Sequence, residues 1–139
     1  MPVTLDASAV AAWLLPDEAS LAADQLYAQA LQASDVFQAP ALWAWETGNL
    51  LVTACRRRRI TPAQASAALQ LLQKARVRLE TPPDGLRMQA TLSLAQAHGL
   101  TFYDASYLEQ ALRTGAQLAS KDVALRREAL KAGVLCLEL

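Results

Sequence analysis

Four carboxylates stand at positions where chemistry could be built: Asp6, Glu46, Asp104 and Asp122. Each of the three aspartates precedes a stretch of helical pattern, where capping backbone N–H groups is the simplest role for any one of them. Glu46 differs. Between Ala41 and Cys55 only Glu46, Thr47, Asn49 and Thr53 are polar. A helix this apolar is expected to be largely buried, with its carboxylate buried or facing a cleft. Asn49 lies three residues on and shares the face of Glu46. No Lys or Arg precedes Arg56, so no local ion pair is on offer, and a buried carboxylate needs a partner, a proton or a metal. If the four acids converge, each pair about 5 Å apart costs roughly 3–4 kcal/mol at an effective dielectric near 20. A divalent cation removes that cost. All-oxygen ligands favour a hard ion, Mg²⁺ or Mn²⁺, which lowers the pKa of bound water and neutralises a phosphodiester transition state. No nucleophilic His, Cys or Ser accompanies the acids, so the pattern points to metal-assisted phosphodiester hydrolysis. Ser8 is a candidate donor to Asp6, although a Ser in a first helical turn usually bonds backbone. His98, just before Gly99 at a helix end, reads as a surface or capping residue.

The elements that must place these acids can be read from periodicity and punctuation. Five strand candidates are Val3–Asp6, Asp35–Ala39, Val77–Leu79, Gln117–Ala119 and Val134–Leu137. Helical patterns run from Ala7 to Leu15, Asp17 to about Gln32, Ala41 to Arg58, Pro62 to about Ala75, Asp84 to His98, Asp104 to Thr114 and Asp122 to Ala132. Thr61-Pro62 is an N-cap followed by Pro at the first helical position. Asp17 and Glu18 would complement the dipole of a helix opening there. Leu100 to Asp104 reads as a short loop. Strands alternating with helices predict a mostly parallel sheet of about five strands covered on both faces, a three-layer α/β/α sandwich. In such sheets sites form outside the carboxyl ends of the strands, where Asp6 and Asp122 stand.

Composition narrows the class. A chain of 139 residues has room for one domain, residues 1–139. With 53% apolar and 19% charged residues it is not disordered. The apolar runs are too short and interrupted to cross a bilayer, and MPVTLDASAV has neither a basic nor an apolar leader segment, so the expected location is the cytoplasm. Cys55 and Cys136 with the single His98 do not make a zinc site. The net charge of zero hides a split: residues 1–55 carry six acids and no Lys or Arg, residues 56–139 thirteen bases and seven acids. This is a weak cue for a polyanion- or partner-binding face, because the two halves can interleave in the fold.

The segments Val3-Thr-Leu-Asp6-Ala-Ser8-Ala-Val, Glu46-Thr-Gly-Asn49-Leu-Leu, Thr101-Phe-Tyr-Asp104-Ala-Ser-Tyr-Leu and Leu118-Ala-Ser-Lys-Asp122 come in the order and spacing of the PIN-domain family. The likeness covers nearly the whole chain and resembles the bacterial VapC-type toxin branch. It implies a parallel α/β/α sandwich and a Mg²⁺- or Mn²⁺-dependent ribonuclease, usually the toxin of a toxin–antitoxin pair. In that resemblance Asp6 and Asp104 match the central metal ligands, Glu46 the acid of the long helix, Asp122 the acid after the fourth strand, and Asn49 a polar position beside Glu46. Where the family often has Thr two residues before the last Asp, this chain has Ser120, which keeps the hydroxyl. Gly48 inside the helix costs about 1 kcal/mol of propensity and would allow close backbone packing or mark a kink.

Arg56-Arg57-Arg58-Arg59 is expected to form the last turn of the helix carrying Glu46, where it favours the dipole and is solvated, or contacts RNA phosphates. Arg57 is about 16 Å along the axis from Glu46, too far for the scissile phosphate. Lys121 is nearer and is a candidate substrate contact. Trp13, Trp43 and Trp45 could stack on bases, but their apolar helices favour packing. The charge-poor N-terminal helices offer a surface for a homodimer or a cognate antitoxin. Two other classes compete: a receiver-like signalling domain, which lacks an acceptor Asp after strand three because Glu80 stands there, and a non-catalytic protein-binding module of the same fold.

Overall fold

The sheet is built from strands only two or three residues long, held between helices that pack on it and on one another. The computed structural model describes residues 1–139. The order is β1 (Val3–Leu5), α1 (Ala7–Leu14), a 3₁₀ turn (Pro16–Glu18), α2 (Leu21–Gln32), β2 (Phe37–Ala39), α3 (Leu42–Arg56), α4 (Pro62–Lys74), β3 (Arg78–Leu79), α5 (Gly85–His98), α6 (Phe102–Thr114), β4 (Gln117–Ala119) and α7 (Val123–Lys131). The sheet is parallel, in the order β3-β2-β1-β4. The α1–α4 helices pack together on one side; on the other α6 lies on β1 and β4 and contacts α5 and α7. This is the expected three-layer sandwich, with four strands rather than five. Val134–Leu137 forms only a single parallel bridge, Leu118 to Cys136. Leu118 N–H donates to Leu135 O and Leu137 N–H to Leu118 O, so the segment pairs at one residue and then leaves the edge. No helix is long and apolar enough to cross a membrane.

Local chemistry explains the boundaries. The acidic pair Asp17-Glu18 does not open a helix. Pro16 starts a separate 3₁₀ turn, and α2 begins after Ser20, whose hydroxyl accepts from Ala23 N–H. Thr61 and Gln64 form a reciprocal capping box at the start of α4. Gly99 and Gly115 end α5 and α6 at φ 63° and 65°, the left-handed conformation that a Cβ disfavours. The α3 helix stops at Arg56, so the four arginines are not its last turn. Arg58 takes φ 57°, the one non-glycine in that region.

The core corrects two expectations. The whole of α1 except Ser8 is buried, so its apolar residues pack against α2, α3 and α4 and offer no surface to a partner. Exposed apolar groups lie elsewhere, Val52 on α3 and Leu69 on α4 among them. Nor is α3 largely buried: only Trp43, Thr47, Leu51 and Ala54 are, a stripe at helical spacing. A Cβ on Gly48 would meet nothing within 4 Å, so no close packing inside the chain explains that glycine.

Candidate metal-dependent active site

Asp6 follows β1 directly, and its N–H donates to Ala119 O at the end of β4 (2.9 Å). It stands at the N-cap of α1 without capping it. Instead Oδ2 accepts from the hydroxyls of Ser8 (2.7 Å) and Ser120 (2.7 Å). Those hydroxyls are themselves placed by backbone, since Lys121 N–H donates to Ser8 Oγ and Asp122 N–H to Ser120 Oγ. Each serine spends its one hydrogen on Asp6. Both serve to aim a carboxylate that is only 6% exposed.

The other acids arrive from three helices. Asp104 is not in a loop: α6 begins at Phe102, Thr101 caps it by accepting from Asp104 N–H, and Asp104 sits in the first turn with its carboxylate uncommitted to a cap. Asp122 is the N-cap of α7, its Oδ1 accepting from Leu125 N–H (2.8 Å). Glu46 projects from α3, half-buried, and accepts at Oε1 from the hydroxyl of Tyr107 (2.5 Å). Tyr107 is fully buried and is the residue that sequence reasoning missed. It lies three residues after Asp104 on the same helix face, a spacing that could have flagged it, but an apolar-looking aromatic in a buried stripe reads as core. Asn49 is exposed beside Glu46 in a cleft shared with Leu42, Trp45 and Tyr103.

The electrostatics bring the four acids into one field. Burial pushes the Asp6 carboxyl above its ordinary value, the Ser120 and Ser8 hydroxyls oppose this, and Asp122 pushes it further up. Glu46 is raised by burial, against the Tyr107 hydrogen bond, with Asp6 and Asp104 adding repulsion. Asp104 is raised by burial, then by Asp122 and Asp6. No cation answers them. Lys121 turns instead to Glu18 (3.5 Å), and Arg59 to Asp17 and Glu18 (3.0 and 2.7 Å). The acidic first half of the chain thus interleaves with the basic second half away from the cleft. Arg56, Arg57 and Arg58 are exposed. His98 is occupied by Glu128 (3.2 Å).

These residues fit a hydrated hard cation. The donors are all carboxylate oxygens and their charge is uncompensated. No group of three or more of them is drawn close enough to hold a metal ion as placed, so the fit rests on the chemistry of the donor set: one or two carboxylates are what a hydrated Mg²⁺ takes. The receiver-like reading finds no support, because Glu80 after β3 is paired with Arg113 (2.7 Å) and Lys121 faces Glu18.

Comparison with known proteins gives the family. The family model for the PIN domain matches residues 3–130. A ribonuclease VapC3 of Pyrobaculum aerophilum is 31% identical over 88% of this chain and 90% of its own. Among solved structures, PAE2754 from the same organism has a TM-score of 0.69 and 28% identity over 92% of this chain and 79% of its own. VapC20 of Mycobacterium tuberculosis, described as a Sarcin-Ricin loop cleaving toxin, has a TM-score of 0.67 and 22% identity, covering 99% of both chains. The chain belongs to the PIN-domain family, in its VapC-type branch.

Proposed function

We propose that the chain is a Mg²⁺- or Mn²⁺-dependent endoribonuclease and the toxin of a toxin–antitoxin pair, acting in the cytoplasm as one PIN unit over residues 1–139. The observation that carries this reading is the cluster of four carboxylates at the carboxyl end of a parallel sheet, three raised by burial and mutual repulsion and none paired with a cation. Asp6 and Asp104 would hold the ion centrally, with Glu46 and Asp122 completing its surroundings. When bound, the ion supplies an activated water and neutralises charge on the phosphate. Ser8 and Ser120 orient Asp6, and Tyr107 holds one oxygen of Glu46. Water is then the group that attacks the phosphodiester. Asn49 lies where it can bond the strand, and Arg56, Arg57 and Arg58 are the free cations for flanking phosphates; Lys121 and Arg59 are engaged by acids.

Restraint by an antitoxin follows from the same chemistry. An arginine of the partner would fork onto the unpaired carboxylates. The apolar groove between α3 and α4, lined by Gly48, Leu51, Val52, Cys55, Ala65 and Leu69, would take its apolar segment or a second copy of the chain. The test is incubation of the purified protein with mixed RNA and with a circular RNA, with Mg²⁺, with Mn²⁺ and with EDTA. Metal-dependent opening of the circle supports the reading; RNA left intact at millimolar Mn²⁺ refutes it. Expression alone should slow growth, and co-expression with the adjacent small gene should restore it.

A further inference from the structure

A second pocket, of about 130 Å³, adjoins the cleft that holds Glu46 and Asn49 and shares two of its walls, Leu42 and Tyr103. Its lining is mixed. Pro40, Leu42, Phe102 and Tyr103 present apolar and aromatic faces, and Arg87, Ser106 and Glu109 present polar ones. Arg87 is held by its terminal nitrogen, which donates to Thr81 O (3.2 Å) and Glu80 Oε1 (3.4 Å). These bonds fix the guanidinium as part of the pocket wall. At the pocket's mouth Tyr103 is 63% exposed and Trp45, across the cleft holding Glu46, is 72% exposed. Trp13 and Trp43 are buried, which leaves Trp45 as the one tryptophan able to meet a strand.

Resting on the nuclease reading, we propose that this pocket is a nucleobase subsite. It takes one unstacked base of the RNA strand next to the bond that is cut, with Tyr103 as the stacking wall and Pro40, Leu42 and Phe102 as the apolar lining. A planar heterocycle supplies the π-face that an exposed tyrosine ring stacks on. RNA is read in this way where its bases are splayed out, on aromatic rings and arginine planes. The position decides the occupant, because a strand whose phosphate lies at Glu46 has Tyr103 beside it and the pocket one wall further on. Trp45 would stack a second base on the other side of the cut.

The experiment combines cleavage of a defined single-stranded substrate by the full chain with binding of a fluorescein-labelled, mixed-sequence oligoribonucleotide in an Asp104→Asn background. Tyr103→Ala should raise KM and weaken binding roughly tenfold, the scale of one lost base stack, with kcat little changed. Tyr103→Phe should behave as wild type. Stepping a single abasic nucleotide along the substrate should find one position next to the cut that costs the wild type the same factor and costs Tyr103→Ala nothing more. The Mn²⁺-induced rise in Tm and the elution volume should be unchanged in Tyr103→Ala. Cleavage by Tyr103→Ala with wild-type KM, or equal loss on intact and abasic strands, overturns the subsite and leaves the nuclease standing. A shift in oligomeric state in Tyr103→Ala assigns the face to a second copy of the chain and also overturns it. A wild type that neither cuts nor binds RNA overturns both readings.

Discussion

Helix α6 carries acids in two neighbourhoods, and they are treated in opposite ways. In its first turn Asp104, with Tyr107 reaching to Glu46, faces Asp6 and Asp122 with no cation present. One to two turns on, Glu109 and Gln110 join Glu80 and Arg113 in a closed network. Arg113 Nε donates to Glu109 Oε1 (2.7 Å), and its two terminal nitrogens donate to Glu80 Oε2 (2.9 Å) and Oε1 (2.7 Å). Gln110 donates to Glu80 and accepts from Thr4, whose hydroxyl in turn accepts from Gln38. Burial pushes Glu80 up, but Arg113, Gln110 and Arg87 outweigh it and hold the carboxyl below its ordinary range. Glu128 follows the same pattern, drawn down to about 2 by Arg127, Lys131 and His98. Glu80, Glu109 and Glu128 are thus each answered by a basic group, and the four cleft acids are not.

The sharpest way to break that contrast is to neutralise the cleft. Asp6→Asn and Asp104→Asn should each abolish RNA cleavage, by more than the roughly 10–100-fold typical of residues that only orient a metal ligand. The metal-free proteins should melt no lower than wild type, because repulsion is relieved. Full cleavage by both variants, measured by gel kinetics, would end the functional distinction. Next in size is the metal itself. Mn²⁺ at 100 times its Kd should stabilise the wild type by about 2.7 kcal/mol, and Asp104→Asn much less; calorimetry at matched Mn²⁺ tests this. The paired network is attacked through Arg113→Ala, which strands Glu80 and Glu109. With Arg113 36% and Glu109 9% exposed, the loss should be about 2 kcal/mol, below the 3–5 kcal/mol of a fully buried pair. Urea unfolding reads it, and an unchanged midpoint would mean the network is idle.

Tyr107→Phe removes one hydroxyl and nothing else from the cleft. Cleavage should drop about tenfold, within the range for residues that orient a ligand, and Mn²⁺ should bind more weakly at nearly constant metal-free stability. The smallest effect is on pH dependence. Asp6, Glu46 and Asp104 are raised in the fold. Between their ordinary and raised values the folded chain holds protons that the unfolded chain has released. The cleft's contribution to metal-free stability therefore declines as pH rises through that window. Glu80 and Glu128 are lowered, so their contribution is present above the ordinary carboxylate range and is lost as pH falls. Melting curves from about pH 4 to 7 should show Asp6→Asn gaining relative to wild type as pH rises. A constant difference would remove the cleft from the titration.

Much of this was legible in the sequence because it rests on local chemistry. Gly99 and Gly115 end helices where only the left-handed conformation fits, Thr61-Pro62 opens one, and the strand–helix alternation gives a parallel sheet. The same pattern put Asp6 at a strand's carboxyl end and Asp122 at a helix start. Tertiary structure decided what depends on the far side of a contact. The fifth strand shrank to one bridge because residues 134–137 pair with β4 only at Leu118. The helix α1, apolar and uncharged, proved to be core because three helices cover it. Three tryptophans of similar sequence context divided into two buried and one exposed, since the burial of Trp43 rather than Trp45 turns on the rotation of α3 about its axis. The partner of Glu46 also lay beyond the sequence: a tyrosine 61 residues away. Its hydroxyl is polar chemistry carried on a core side chain, and only the packing of α6 against α3 could show where it points.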